Sequence, residues 1–151
     1  MQRILYTMNF KGRMTPEMTE SRSLRTRGSA TSCLVSTTIR PAGVESNVSA
    51  SDGDLAFLDS ELRVTGPDSF QENGTITFGE CGEHVLRFST VGQGHLAPSL
   101  EPGSMAGTAS WKVEGGSGQF AAARGFINSV FMLVDSGEFN NVHCGWILLP
   151  E

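Results

Sequence analysis

Residues 115–125, GGSGQFAAARG, lie between two segments with the composition of β-strands, GTASWKV at 107–113 and FINSVFMLV at 126–134. A phosphate-binding loop would be followed by a helix. The segment that follows here is β-branched and aromatic, with no apolar helical stripe, and the lysine of a P-loop is missing. Because Phe120 and Arg124 interrupt the small residues, a flexible linker is also disfavoured. The pattern favours a tight corner between two strands.

The glycines of this corner have separate expected roles. Gly115 and Gly116 permit the positive φ of a tight turn, and Gly118 allows close approach of another backbone. Gly125 is expected to begin the next strand with a bulge or kink, as closure of a barrel requires. Phe120 is expected to plug one end of the core, and the arginine before Gly125 to hydrogen-bond carbonyls of the corner.

Alternation of period two recurs along the chain, whereas helical periodicity is almost absent. The predicted strands are residues 3–11, 29–39, 54–65, 74–80, 83–91, 107–114, 126–134 and 139–149. About eight strands in a single domain, residues 1–151, is the count of a closed barrel or a sandwich. Residues 12–28, 40–53 and 92–106 are predicted to be long connections, and the last two are long enough to cover a mouth.

Charge and composition exclude several classes of function. The chain has 11 basic and 16 acidic residues, a net charge of −5, which argues against nucleic-acid or anionic-membrane partners. No apolar run approaches the ~18 residues of a membrane helix, and the N-terminus lacks the apolar region of a signal peptide. Cys33, Cys81 and Cys144 are an odd number of cysteines, so we expect reduced thiols and a cytoplasmic protein.

The corner and its flanking strands resemble a signature of the allene oxide cyclase and dirigent β-barrel superfamily. The resemblance covers residues 105–127, and bacterial barrels that are similar in this stretch often have tryptophan where Trp111 stands. The matching residues are Gly107, Thr108, Val113, Gly115, Gly116, Ser117, Gly118, Phe120, Ala123, Arg124 and Gly125. It implies an all-β, eight-stranded antiparallel barrel with its ligand in the lumen.

The same resemblance implies chemistry without a cofactor. Members of the superfamily cyclise a reactive epoxide, steer the coupling of phenoxy radicals, or fold a polyene for cycloaddition. The signature is structural in all of them, so it transfers a fold and not a reaction. Dirigent relatives are secreted, and the missing leader argues against that role here.

Candidate site residues are polar side chains on an inward register, because alternate residues of a barrel strand face the lumen. If Glu83, Val85 and Arg87 face inward, Arg87 is a buried cation that needs a carboxylate or an anionic ligand. Glu80 is its expected partner. If Phe88 faces inward instead, Arg87 is a surface residue.

Two further catalytic candidates lie on the last two strands. His143 is the best acid–base candidate by side-chain type, although an exposed histidine remains an alternative. Asn128 shares a register with Phe126 and Val130, which suggests a hydrogen bond to a ligand carbonyl or oxyanion or a structural one to a neighbouring strand. The Cys144 and Trp146 side of the last strand is interpreted as packing.

Tyr6 and Trp111 are candidate walls of the pocket, or plain core. Cys81 and His84 suggest no metal site, since tetrahedral zinc needs further ligands. We therefore expect a cofactor-independent cyclase or isomerase, without metal, that acts on a small apolar or polyketide-like ligand in one internal cavity. The alternative is a small-molecule-binding barrel without turnover. The sequence leaves open whether the chain forms homo-oligomers.

Overall fold

The computed structural model describes all residues, 1–151, and is built almost entirely of strands. The strands are β1 Gln2–Pro16, β2 Ser23–Arg40, β3 Gly43–Val64, β4 Ser69–Phe78, β5 His84–Thr90, β6 Gly94–Pro98, β7 Ser104–Ser117, β8 Arg124–Val134 and β9 Glu138–Leu149. The only helix is one 3₁₀ turn, Gly118–Phe120. No helix is long and apolar enough to cross a membrane.

One antiparallel sheet closes into a ring of eight strands, in the order β3-β2-β1-β9-β8-β7-β5-β4 with β4 paired back to β3. The short strand β6 pairs with β4 and β7 beyond the end of β5, so it continues the wall in the place of β5. The predicted all-β, eight-stranded antiparallel barrel is therefore confirmed.

The corner between β7 and β8 has most of the predicted features, but the positive φ predicted for Gly116 is wrong. Gly115 and Gly118 have φ of +79° and +58°, in the left-handed region that favours glycine. Gly116 lies so close to the backbone of Val85 that a Cβ would overlap the Val85 carbonyl. Phe120 is buried at 4 % exposure, and the arginine before Gly125 donates to the Ala123 carbonyl at 2.8 Å. Glycine geometry and one aromatic plug thus make the corner.

The predicted loop at 40–53 is wrong, because β2 and β3 form one long hairpin there. They pair from Ser23 with Arg63 to Arg40 with Gly43, and the register shifts between Thr31 and Cys33. Beyond that shift the two strands extend past the ring, and all residues 43–55 are exposed. We call residues 33–50 the arm.

The other two predicted connections also contain strand. Strand β1 continues to Pro16 and β2 begins at Ser23, so only residues 17–22 connect them. Residues 92–106 contain β6, which belongs to the wall. Neither this segment nor the arm is a lid over a mouth. The sequence pattern missed these strands because the segments are rich in Ser, Gly and Pro, which is typical of loops.

Candidate functional site

Aromatic side chains fill the middle of the lumen. Those buried at 2 % exposure or less are Phe10, Phe70, Phe88, Trp111 and Phe131. The rings of Phe88 and Trp111 stack with centroids 3.9 Å apart. The lumen is therefore packed and not hollow as predicted, and a hollow of about 770 Å³ lined by Lys11, Arg27 and Phe57 lies on the outer wall.

His143 lies inside this aromatic packing and is fully buried. Its Nδ1 is 3.3 Å from the hydroxyl of Tyr6. Its ring meets Trp111 edge-on, with centroids 4.7 Å apart and planes at 81°, and it tilts against Phe10 at 4.7 Å. The predicted exposed alternative for His143 is therefore wrong. Tyr6 and Trp111 are core residues that also touch the candidate site.

Two nitrogens of this cluster have no partner. His143 Nε2 and Trp111 Nε1 are both buried without a hydrogen bond. The phenol of Tyr6 is the more acidic of the pair, so we assign it as donor to Nδ1, which places the imidazole hydrogen on Nε2. Two N–H donors then point into apolar surroundings. Buried donors without partners cost free energy and call for an acceptor.

Burial determines the charge state of this cluster. Desolvation lowers the pKa of His143 to about 3, so its ring is neutral in the physiological range. Desolvation, with a smaller effect of Cys33, raises the pKa of Tyr6 well above its usual value. Both groups are therefore uncharged hydrogen-bonding partners.

Glu72 is a buried carboxyl on the same inner face, at 2 % exposure. Ser60 donates to its Oε1 at 2.6 Å. Desolvation raises the pKa of Glu72 to about 7, against the smaller opposing effect of that hydrogen bond. A carboxyl with this pKa can accept or donate a proton at neutral pH.

Strand register places Glu72 at the level of Trp111, two strands away from it. The Thr90 hydroxyl binds both backbone groups of Glu72, at 2.8 Å to N and 2.9 Å to O. Thr90 is in turn the register partner of Trp111. Glu72 and Trp111 thus lie two strands apart on one level, roughly 10 Å between backbones at the usual strand spacing.

The wall is incomplete beside this cluster. From Gln2 to Phe10, β1 pairs only with β9, because its pairing with β2 begins at Lys11 and Ser29. Side chains close the gap: Tyr6 meets Phe78 edge-on at 6.1 Å. Along this seam no hydrogen-bonded strand covers the Tyr6–His143 pair.

Arg87 and Glu80 do not lie in the lumen, and their predicted placement is wrong. Leu86 and Phe88 occupy the inner face of β5, so Arg87 is exposed, with its Nη2 at 3.4 Å from the Glu114 carbonyl. Glu80 is exposed in the turn after β4. Burial of Leu86 and Phe88 stabilises the fold, whereas burial of the Arg87 guanidinium would cost desolvation free energy.

The inward register predicted for Asn128 is also wrong. Ile127, Ser129 and Phe131 face the lumen, and Asn128 is exposed, accepting a hydrogen bond from Ser110 on β7 at 2.7 Å. The structural alternative for Asn128 is therefore confirmed. Trp146 is 52 % exposed, so that side of the last strand is not packing within the chain.

Sequence reasoning missed Glu72 and Ser60. Phe70, Glu72, Gly74 and Ile76 alternate on one face, but the predicted strand began at residue 74. Extending the alternation back to Phe70 would have placed a carboxylate between two core positions.

No group of three or more His, Cys, Asp or Glu side chains could hold a metal ion, and the three cysteines are free thiols. No protein-family model, curated protein or solved structure matches this chain.

Proposed function

We propose that this protein is a cofactor-independent isomerase or cyclase for a small, largely apolar substrate that carries a carbonyl group, bound in the lumen. One observation carries the proposal: the side-chain nitrogens of His143 and Trp111 are buried together without a partner. A carbonyl oxygen entering from the seam at Tyr6 would accept from both. The resemblance of residues 105–127 to barrels with cofactor-free activities supports a ligand in the lumen, but no particular reaction.

The chemistry follows from the charge states. Two neutral donors in an apolar site stabilise an oxyanion as negative charge moves from carbon to oxygen. Glu72, with its pKa near 7, removes a proton from the carbon beside the carbonyl and returns it at another position. Neutral His143 does not compete for that proton, because its own pKa is about 3.

The substrate must displace aromatic side chains, since the lumen is filled. Phe78 is half-buried at the seam and packs on Phe120 with ring centroids 5.1 Å apart. Rotation of these rings with Tyr6 opens the way to His143. Displaced rings then exclude water from the bound substrate, as proton abstraction in an apolar site requires.

The second candidate is a barrel that binds carbonyl compounds or phenols without turnover. The neutrality of Tyr6 and His143 across the physiological pH range favours it, because only Glu72 can then exchange a proton. The two functions share the donor pair and differ in the need for Glu72.

Binding is tested with 4-nitrophenol, whose phenolate absorbs visible light and presents an oxyanion. We expect saturable binding that His143→Phe abolishes. Arg87→Ala is the matched control, since it changes an exposed polar residue of the wall, and should bind like the wild type. Wild-type protein that does not bind 4-nitrophenol contradicts both candidate functions.

Turnover is tested by deuterium uptake from heavy water into 2-cyclohexenone beside its carbonyl. The isomerase proposal predicts uptake that Glu72→Gln abolishes while 4-nitrophenol binding remains. Wild-type binding without uptake above that of Glu72→Gln supports the binding barrel instead.

A further inference from the structure

The outer wall of the barrel has two unlike halves. On β4, β5 and β7 the exposed side chains are polar, and they include Gln71, Asn73, Arg87, Ser110 and Glu114. On β1, β8 and β9 large apolar side chains face outward instead. We call the following residues the apolar wall: Leu5 (61 % exposed), Phe126 (63 %), Val130 (57 %), Val142 (37 %) and Trp146 (52 %).

These residues form one continuous patch, because their registers adjoin. Trp146 is the register partner of both Leu5 and Phe126, and Val130 pairs with Val142. The positions between them are Thr7, Asn9, Asn128 and Cys144, so no charged residue interrupts the patch. Contiguous exposed apolar surface of this kind is typical of interfaces and uncommon on monomers.

The arm carries a second apolar surface. Cross-strand pairs Cys33–Ala50, Val35–Val48 and Ile39–Val44 lie on one face. The charged pair Arg40–Glu45, at 3.0 Å, lies on the other. Ile39 is 83 % and Val44 71 % exposed, so nothing in the chain covers the outer part of this face. An uncovered two-stranded hairpin is at best marginally stable in water.

The arm and the apolar wall face the same side of the molecule. Cys33, Val48 and Ala50 of the arm line a hollow of about 560 Å³ together with Asn9, Lys11 and Asn140 of the outer wall. Strand β1 therefore lies between the two apolar surfaces, and its exposed Lys11 is the charged residue at the edge between them.

We propose that a second copy of this chain covers both surfaces, with the arm of each copy packed on the apolar wall of the other. The two copies are related by a two-fold axis that runs along β1 within the plane of contact. Rotation about this axis places the arm of one copy over the apolar wall of the other, and the reverse. Each arm then lies on the partner's wall, in the self-complementary arrangement of a two-fold dimer. The contact stacks sheet on sheet.

The available area suits a dimer. Strand spacings give arm face and wall together a flat extent of roughly 500–600 Å² per copy. Projecting side chains have more accessible surface than this flat extent, which brings the area closer to the ~800 Å² that a standard interface buries per partner. Because the chain itself supplies two matching uncharged surfaces, no other partner is required to cover either one.

Sedimentation velocity at micromolar protein tests the dimer. We expect twice the mass of the chain for wild type, and a twofold lower mass for Trp146→Glu in the wall and for Val44→Lys in the arm. Gln71→Glu adds the same charge to the polar half, on β4, and should remain dimeric. A monomeric wild type overturns the proposal.

Mixing the two monomeric variants tests the exchange of arms. In a mixed dimer the arm of Trp146→Glu meets the wall of Val44→Lys, so one of the two contacts carries no substitution. The other brings opposite charges together. We therefore expect dimers to reappear on mixing. If both variants are folded by circular dichroism and the mixture stays monomeric, arm-on-wall packing is wrong.

Discussion

The two tryptophans of the chain lie on opposite faces of the barrel wall, one in the lumen and one on the outer surface. Trp111 is fully buried in the lumen, whereas Trp146 is 52 % exposed on the outer wall. The inner region is packed, contains the unpaired nitrogens and excludes water. The outer region is apolar without being packed. Hydrophobicity alone therefore does not define the core of this barrel; the direction in which a side chain points does.

Replacing each tryptophan by alanine should separate the regions most strongly. Trp111→Ala leaves a cavity among stacked rings and should cost about 3–5 kcal/mol of the free energy of unfolding. Trp146→Ala should change it by no more than about 0.5 kcal/mol. Urea denaturation in the Val44→Lys background measures both, because association then adds nothing. Equal losses would contradict the distinction.

Glycines at the barrel corner and at the arm tip should differ in the same sense. A Cβ at Gly116 overlaps the Val85 carbonyl, whereas one at Gly43 meets nothing within 4 Å. Gly116→Ala should therefore cost about 3 kcal/mol, the upper end of overpacking. Gly43→Ala carries only the strain of its φ of +139°, roughly 1–2 kcal/mol.

Melting temperatures of the two glycine variants provide the measurement, with Gly116→Ala the lower. A Gly43→Ala protein as unstable as Gly116→Ala would mean that the arm tip, too, is closely packed.

The pH dependence of stability should sharpen the picture of the lumen. Folded Glu72 keeps its proton up to about pH 7, and the unfolded carboxyl loses it near 4.5. Its contribution to stability therefore falls as pH rises between these values, by about 1.4 kcal/mol per pH unit. His143 is protonated below 6.5 when unfolded but only below about 3 when folded. Its contribution therefore falls as pH decreases through that window, with an equal and opposite slope.

Between pH 4.5 and 6.5 the two slopes oppose each other in wild type. Glu72→Gln should leave the His143 slope, so that stability falls as pH decreases. His143→Gln should leave the Glu72 slope, so that stability falls as pH increases. Urea unfolding across this window gives the slopes, and two variants that both parallel the wild type would show that one or both groups are not buried as described.

The sequence predicted the elements whose signals are local. Glycines at the corner placed Phe120 as its plug, and alternation placed Tyr6 on β1 and His143 on β9. Which face of β9 turns inward stayed open between an inward and an exposed His143. The inner face of β5 was not decidable locally, because Val85 on the face of Arg87 and Phe88 on the opposite face gave both an apolar share. Packing of the closed ring decided it.

Other features depended on partners distant in sequence. The arm has the serine-rich composition of a loop, and only pairing of β2 with β3 makes it a strand. The raised pKa of Glu72 comes from closure of the lumen, which no window of sequence contains. The candidate site was therefore half predictable: alternation singled out His143, Tyr6 and Trp111 as candidates, but not the buried carboxyl of Glu72.

The proposed function depends most directly on the Trp111 indole N–H, which has no partner within the chain and would donate a hydrogen bond to a ligand oxygen. Trp146→Phe leaves Trp111 as the only tryptophan of the two in the chain, so a ¹H–¹⁵N spectrum of that variant contains a single indole resonance. Adding 4-nitrophenolate should move this resonance downfield, saturably, and the shift should vanish in Trp146→Phe with His143→Phe. An indole resonance that stays in place while the phenolate is bound, or a protein that never binds it, would contradict the claim.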